Sequence, residues 1–290
     1  MTSADQTERD SRQRAAVLQE ALPYIREHQG TRVVIKYGGA AMTTPHLRQS
    51  FARDVALLRL VGLRPIVVHG GGKEVSAWSE RLGLDVRFEN GLRVTDASTM
   101  EIAKMVLVGK VNKQIVAGLE LAGAPAVGLA GEDGGLISAR KHEGDVDLGF
   151  VGEIERVNPA VLESLADFVP VVASVGLDSD GQSLNINADT VAGAVAAAVS
   201  APRVIFMTDV AGLLADARDP ESLIIECTRA DVQNLRASGK IGDGMIPKLD
   251  AVEFALAAGV SSATIIDGRG PHNLLLEFFT ERGSGTMIRS

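Results

Sequence analysis

Short apolar runs rich in β-branched residues alternate along this chain with longer stretches whose apolar positions recur every three or four residues. The runs at Arg32–Lys36, Pro65–His69, Pro125–Leu129, Gly135–Ala139, Gly149–Arg156, Val169–Ala173, Arg203–Thr208 and Ala263–Ile266 read as strands. Between them the period predicts helices over Arg9–His28, Pro45–Val61, Lys73–Leu82, Ala97–Gly109 and Val111–Ala122. Further helices are expected over Pro159–Asp167, Asp189–Ser200, Arg229–Ser238, Met245–Ala258 and Pro271–Glu277. In the first helix Leu18, Leu22 and Ile25 share a face; residues 1–8 are polar and expected to be loose. That N-terminal helix either packs on the domain or serves as an arm for oligomer contacts.

Alternation of this kind, with strands apolar on both faces, predicts an α/β fold: a central, mainly parallel sheet covered by helices on both sides. No Pro/Ser-rich linker and no internal repeat divides the chain, so the expectation is one sandwich with two lobes meeting near residues 175–200.

Composition narrows what such a fold can do here. Of 290 residues, 46% are hydrophobic and 23% charged, which excludes disorder and collagen-like repetition. A net charge of −8 argues against a nucleic-acid surface. The single cysteine, Cys227, excludes a disulfide framework and a Cys-based zinc site. With no signal peptide, long apolar run or lipidation motif, the expected compartment is the cytoplasm, away from membranes. If phosphates bind, they must bind locally, where the 31 glycines meet a few lysines.

Four predicted loops lie where ligands collect in parallel sheets, beyond the carboxyl end of a strand or at the start of a helix. They are Lys36-Tyr37-Gly38-Gly39, His69-Gly70-Gly71-Gly72, Asn185-Ile186-Asn187-Ala188-Asp189 and Thr208-Asp209-Val210-Ala211-Gly212. Glycine lets an anion approach backbone N–H groups, although it also serves simple tight turns. Neither a Walker A loop nor G-x-G-x-x-G is present, and Asp178-Ser179-Asp180-Gly181 reads as a hairpin turn rather than a calcium loop. Lys36, ending an apolar strand, either needs a partner or ligand or snorkels out of the sheet. Lys248 opens an apolar helix, where the dipole disfavours a cation unless an anion is near. Asp189 either caps its helix or reaches both lysines.

Together these loops resemble the amino-acid kinase family over roughly Leu22 to Ile288. The markers are Val34-Ile35-Lys36-Tyr37-Gly38-Gly39, Val67-Val68-His69-Gly70-Gly71-Gly72, Asn185 to Asp189, Thr208 to Gly212 and Gly244-Met245-Ile246-Pro247-Lys248. Gly91-Leu92-Arg93-Val94-Thr95 and Leu107-Val108-Gly109-Lys110-Val111-Asn112 resemble the acetylglutamate branch. The resemblance implies a three-layer αβα sandwich over residues 29–290 behind an N-terminal helical arm, residues 1–28. Its substrate side would be about 29–185 and its nucleotide side about 186–290. The implied reaction is ATP-dependent phosphorylation of the side-chain carboxylate of N-acetyl-L-glutamate in arginine biosynthesis, with Mg²⁺ held mainly by the nucleotide phosphates. By the same resemblance Lys36, Lys248 and Asp189 are catalytic, and Gly71, Gly72, Arg93, Asn185 and Asn187 bind the acceptor. Gly38, Gly39, Asp209 and Gly212 bind the nucleotide. One departure stands out: Glu132-Asp133-Gly134 replaces a Lys-Asp-Gly common in relatives, which removes a positive charge that could bear on local substrate or nucleotide contacts.

The arm and the tail, His272 to Thr280 with Gly283-Ser284-Gly285-Thr286, resemble an arginine-inhibited subgroup. That implies a hexamer built as a trimer of dimers, an arginine site with Tyr24, Glu277 and Gly285, and a nitrogen-signalling P-II protein as a further partner. Other kinases of the family, and an inactive arginine-sensing module of the kind fused to acetyltransferases, are the competing readings. Against the inactive module stand intact Lys36, Asp189 and Lys248 and the expectation that no further domain follows.

Overall fold

The computed structural model describes residues 3–290 apart from 90, 217, 220, 240, 243 and 244. In chain order the first elements are α1 (Ser3–His28), β1 (Arg32–Tyr37), α2 (Ala40–Thr43), α3 (Pro45–Leu60), β2 (Arg64–His69) and α4 (Gly72–Arg81). Then come β3 (Phe88–Glu89), β4 (Leu92–Arg93), α5 (Ala97–Lys104), a π-helical segment (Met105–Asn112), α6 (Lys113–Leu121) and β5 (Ala126–Leu129). Next are β6 (Ile137–Lys141), β7 (Gly152–Val157), α7 (Pro159–Glu163), β8 (Val169–Ala173), β9 (Val175–Leu177), β10 (Ser183–Asn185) and α8 (Ala188–Ala198). The chain finishes with β11 (Arg203–Thr208), β12 (Glu226–Thr228), α9 (Arg229–Ala237), α10 (Ile246–Ala257), β13 (Ser262–Asp267), α11 (Asn273–Phe279) and β14 (Gly285–Arg289).

Eight strands form the main sheet in the order β12-β14-β13-β11-β1-β2-β8-β5. The six from β13 to β5 run parallel; β14 is antiparallel to β13 and pairs in parallel with β12. Helices cover both faces, and the period-2 alternation of side chains sorts the core into two clusters. Val33, Ile35 and Tyr37 of β1 join α3, α6 and α11 on one face. Val34 joins α8 and α10 on the other. Val33 to Ile35 are at most 1% exposed, and burying each such side chain contributes about 1.5–3 kcal/mol relative to exposure. The same alternation points Lys36 toward the α8 side.

Three differences from the sequence reading have physical causes. Residues 3–8 are helical, not loose: α1 begins at Ser3, and no glycine or proline interrupts it before Pro23. The two helices expected over Ala97–Gly109 and Val111–Ala122 are one rod, because Gly109 continues through a π-helical turn instead of breaking it. Strands β3, β4, β9, β10, β12 and β14 are short or carry polar residues, so they lack the apolar signature. Four of the smaller strands make a second sheet, β10-β9-β6-β7, and β3-β4 is a hairpin. The turn at Asp178 to Gly181 joins β9 to antiparallel β10, with Asp178 Oδ1 accepting from the N–H groups of Asp180 and Gln182. Among the described residues no helix is long and apolar enough to cross a membrane.

Candidate active site

The four strands β11, β1, β2 and β8 are consecutive neighbours and parallel, so their carboxyl ends emerge side by side. Beyond them lie Asp209, Gly38 with Gly39, Gly70 to Gly72, and Ser174. This is a topological switch point: the chain moves from β1 outward through β2 and returns to β11 on the other side. The second sheet brings Asn185 over the crevice and the β3–β4 hairpin brings Arg93. The result is a cavity of about 270 Å³ lined by Lys36, Gly38, Gly39, Gly71, Gly72, Arg93, Asn185, Asn187 and Asp189. A larger cavity of about 690 Å³ between α3 and α6 is mainly apolar and is lined by none of the residues given a catalytic, substrate, nucleotide or effector role from the sequence.

Lys36 neither snorkels nor stands alone. Its Nζ lies 2.8 Å from Asp189 Oδ1, and the two side chains are only 16% and 19% exposed. Capping does not explain Asp189, because Asn187 caps α8, its Oδ1 accepting from Asp189 N–H (2.8 Å) and Thr190 N–H (3.3 Å). The Asp189 carboxylate is therefore available to Lys36, at the positive end of α8. Gly38 makes room for that lysine: a Cβ there would fall 2.6 Å from Lys36 Nζ.

Gly39 is required twice over. Its φ is +67°, and a Cβ would fall 2.2 Å from Asp209 Oδ1. Asp209 accepts from Ala40 N–H and lies 3.3 Å from Lys73 Nζ, tying the first and second glycine loops together. Partial burial pushes the Asp209 carboxyl up, but the Ala40 N–H, Lys73 and Arg269 outweigh it and hold it below the ordinary value. Gly71, with extended φ, approaches the π-helical segment so closely that a Cβ would fall 2.7 Å from Leu107.

Arg93 is 7% exposed. Its Nη2 donates to Gly72 O and to Ser76 Oγ, each at 2.8 Å, and the guanidinium lies over the Phe88 ring at 4.6 Å. Both acceptors are neutral, no carboxylate pairs with it among the described residues, and its buried Nη1 has no partner. Desolvation lowers its pKa from the ordinary arginine value. Asn185 donates to Thr95 Oγ1 (3.3 Å), and buried Thr95 donates to Arg93 O (2.8 Å), so two residues of the cavity are joined behind its wall.

Other predicted residues lie elsewhere. Lys248 stands on the first turn of α10, which packs beside α8 and, like it, leads into a parallel strand, so both helices start at the same edge of the sheet. Gly244 of the Gly244–Lys248 motif lies outside the described residues. Gly212 does not face the cavity; its φ of +147° and close fit against Thr286 Oγ1 are turn requirements. Tyr24 and Glu277 line a separate cavity of about 170 Å³ between α1 and α11. The carboxylate of Glu277 is buried and bound by Arg203 Nη2 at 2.7 Å, not solvated at a helix end. Gly285 is built into β14 outside that lining, where a Cβ would collide with Ile265 O. Glu132 also faces away from the active-site cavity: it pairs with Lys104 at 2.8 Å and accepts from Ser183 Oγ, so the lost lysine is a local rearrangement of charge.

Sequence reasoning missed Lys73, Ser76, Phe88, His69 and Asn112 as parts of this site. The last two sat inside quoted motifs, but only tertiary structure pairs them.

Residues 31–267 match the model of the family described as the amino acid kinase family. A protein of Symbiobacterium thermophilum named acetylglutamate kinase is 54% identical over 95% of this chain and 97% of its own length. Proteins of that name from Nostoc sp. and, in chloroplastic form, Arabidopsis thaliana are 53% and 52% identical over 95% of this chain, and over 93% and 80% of their own lengths. The structure of N-acetylglutamate synthase from Neisseria gonorrhoeae, complexed with coenzyme A and N-acetyl-glutamate, superposes with a TM-score of 0.85 at 24% identity. It shares the fold over 95% of this chain, which spans 63% of that protein. A Giardia carbamate kinase shares it at a TM-score of 0.66 and 16% identity, over 90% of this chain and 99% of its own.

Proposed function

The chain belongs to the amino acid kinase family, and we propose that it transfers the γ-phosphoryl group of ATP to the side-chain carboxylate of N-acetyl-L-glutamate, in arginine biosynthesis. The observation that carries this reading is Arg93. A buried guanidinium with an unpartnered Nη1 and only neutral acceptors favours an anionic guest, and it lines the same cavity as the Lys36–Asp189 pair. Residues up to about 185 would then hold the acceptor and those beyond it the nucleotide.

The acceptor carboxylate is ionised at neutral pH, so no general base is needed. Catalysis reduces to positioning and to stabilising charge as it spreads over the transferring group. Arg93 binds the acceptor, with Asn185, Asn187 and Gly72 at its sides. Lys36, held by Asp189, presents an ammonium to the developing charge, and Gly38, Gly39 and Gly71 offer backbone N–H groups. Lys248 joins from the first turn of α10, and Asp209 with Lys73 flanks the nucleotide; Gly212 acts through the turn that follows Asp209. Magnesium supplies charge neutralisation on the phosphates of ATP.

Feedback inhibition by arginine is a second part of the proposal, supported by the cavity between α1 and α11. Its lining carries Glu27, Glu226, Glu277 and Glu281 against Arg203, Arg282 and His28, so carboxylates outnumber the arginines there, with Glu226 already paired to Arg289. Since Arg203 already holds Glu277, an arginine entering there would compete with Arg203 for that carboxylate or take the outer acids. Exposed Val17, Leu18 and Leu22 on α1 suit a neighbouring protomer, as a hexamer requires.

The test is to trap the acyl phosphate with hydroxylamine, using ATP–Mg²⁺ and a panel of carboxylic acids with and without arginine. Hydroxamate from N-acetylglutamate alone is expected. Activity with glutamate or aspartate instead would overturn the substrate assignment.

A further inference from the structure

Gly71 lines the cavity beside Lys36, and its N–H donates to no other described residue. A buried pair behind the loop aims that N–H. His69, the last residue of β2, is fully buried, with Nδ1 2.8 Å from Gly70 O and Nε2 3.1 Å from Asn112 Nδ2. Asn112 ends the π-helical segment, also fully buried, and its Nδ2 donates to Val171 O at 2.8 Å. Gly70 O and Val171 O are carbonyls and can only accept. One arrangement satisfies both: Nδ1 carries the imidazole proton and donates to Gly70 O, while Nε2 accepts from Asn112. Reversing either group would set lone pair against lone pair.

The Gly70–Gly71 peptide is planar and trans, so its carbonyl and N–H point to opposite sides. A carbonyl drawn inward by His69 turns the Gly71 N–H outward, toward the cavity. Two close approaches belong to the same device. Leu107 of the π-helical segment packs where a Cβ on Gly71 would be, and Gly128 leaves room for Asn112, since a Cβ there would fall 1.9 Å from Asn112 Oδ1. Burial pushes the His69 pKa down to about 4, so its single ring proton persists at neutral pH.

We propose that His69 and Asn112 are positioning residues for phosphoryl transfer: neither touches a substrate, and together they hold the Gly71 N–H aimed at the transferring group. The inference rests on the kinase reading above and adds to it a function for the branch motif Leu107 to Asn112.

Two substitutions at one position separate this from a merely structural role. In His69→Asn the amide nitrogen stands where Nδ1 stood and can donate to Gly70 O. In His69→Gln the amide reaches the place of Nε2, keeping an acceptor for Asn112 Nδ2 but leaving Gly70 O without its donor. His69→Gln and Asn112→Leu are expected to lower kcat about 10- to 100-fold, with both KM values within about threefold, the pattern of a misplaced donor. His69→Asn should stay within about fivefold of wild type. Equal kcat for the two His69 variants per folded molecule, or Gln above Asn, overturns the proposal; should Asn112→Leu fail to fold, the His69 pair still decides. Nitrogen-15 NMR of the unmodified protein adds a readout independent of activity. It should show the Nδ1-protonated tautomer unchanged from about pH 5.5 to 9, whereas an Nε2–H tautomer or a titration near 6.5 overturns it. A wild-type protein that forms no hydroxamate would refute the substrate assignment instead, and the tautomer would then decide this inference alone.

Discussion

Replacing Lys36 by methionine keeps the length of the side chain and removes its ammonium, which separates charge from packing at the centre of the site. The expected loss in kcat is about 10²- to 10³-fold, or about 2.7–4 kcal/mol, as for removal of one preorganised donor from a charge-stabilising site. The KM for the acceptor should stay within about threefold, because the proposed function assigns acceptor binding to Arg93 rather than to Lys36. The change also strips Asp189 of a partner at 2.8 Å. A fully buried carboxylate so treated loses about 3–5 kcal/mol, but this one is 19% exposed and sits in the first turn of α8, whose positive end offsets part of the loss. A destabilisation of about 1–2 kcal/mol follows, visible as a fall in Tm of about 2–8 °C for a chain of this size. Hydroxamate formation at saturating ATP–Mg²⁺ and N-acetylglutamate measures the first quantity, and thermal denaturation of the same sample the second. Asp189→Asn completes a cycle: if lysine and aspartate act as a unit, the double variant is little worse than Lys36→Met alone. A Lys36→Met enzyme within about threefold of wild-type kcat would refute the electrostatic role, and full additivity would refute the coupling.

Arg93→Ala should raise the KM for N-acetylglutamate by about 10- to 100-fold, as loss of a bidentate charged contact does, with the KM for ATP nearly unchanged; steady-state kinetics in both substrates checks it, and a rise confined to ATP contradicts the assignment. Gly71→Ala places a Cβ 2.7 Å from Leu107, so the loop must shift and kcat should fall at least about tenfold without loss of fold. The pH dependence of stability follows from His69, whose folded-state value of about 4 lies below the unfolded value of about 6.5. Its contribution is intact above pH 6.5 and is lost progressively as pH falls toward 4, about 3 kcal/mol in all, and urea titrations of His69→Asn should show that slope removed. Deleting residues 1–27 should abolish both arginine inhibition and the hexamer, read by activity with millimolar arginine and by light scattering; inhibition that survives the deletion defeats that part of the proposal.

The central sheet was legible because its strands are apolar on both faces: Val33 and Val34 are consecutive and face opposite cores. Strand β10 was not, since Ser183-Leu184-Asn185 carries no such run and is held by pairing with β9. The glycine loops were legible as strand-end features, and so was Lys36 as a charge that needed company. Strand order was not. Nothing local in the sequence says that β11, β1, β2 and β8 are neighbours, and that adjacency is what lets Asp209 reach Lys73. The His69–Asn112 pair spans 43 positions and joins a strand end to a helix, so each residue alone reads as an ordinary buried polar group. Arg93 could be chosen from its motif, but the unpartnered Nη1 that gives it force is a property of packing.

A chain carrying −8 overall that binds two anions cannot rely on its general field, and the way its site cations are paired shows how the difficulty is met. Lys36 is matched by Asp189 and Lys73 by Asp209, so the glycine loops sit among balanced pairs. Such pairs attract a free anion weakly, yet they place an ammonium at a fixed point where charge can develop with little reorganisation. Arg93 is the opposite case: buried, bonded only to neutral oxygens, and unbalanced by any described carboxylate. On the proposed assignment, ground-state attraction concentrates at the acceptor end of the cavity and preorganised stabilisation at the phosphoryl end. That division separates the expected effects of the substitutions, KM responding at Arg93 and kcat at Lys36, Gly71 and His69. It also explains why the glycines matter as much as the charges: backbone N–H groups add donors at the phosphoryl end without adding net charge that would hold the product.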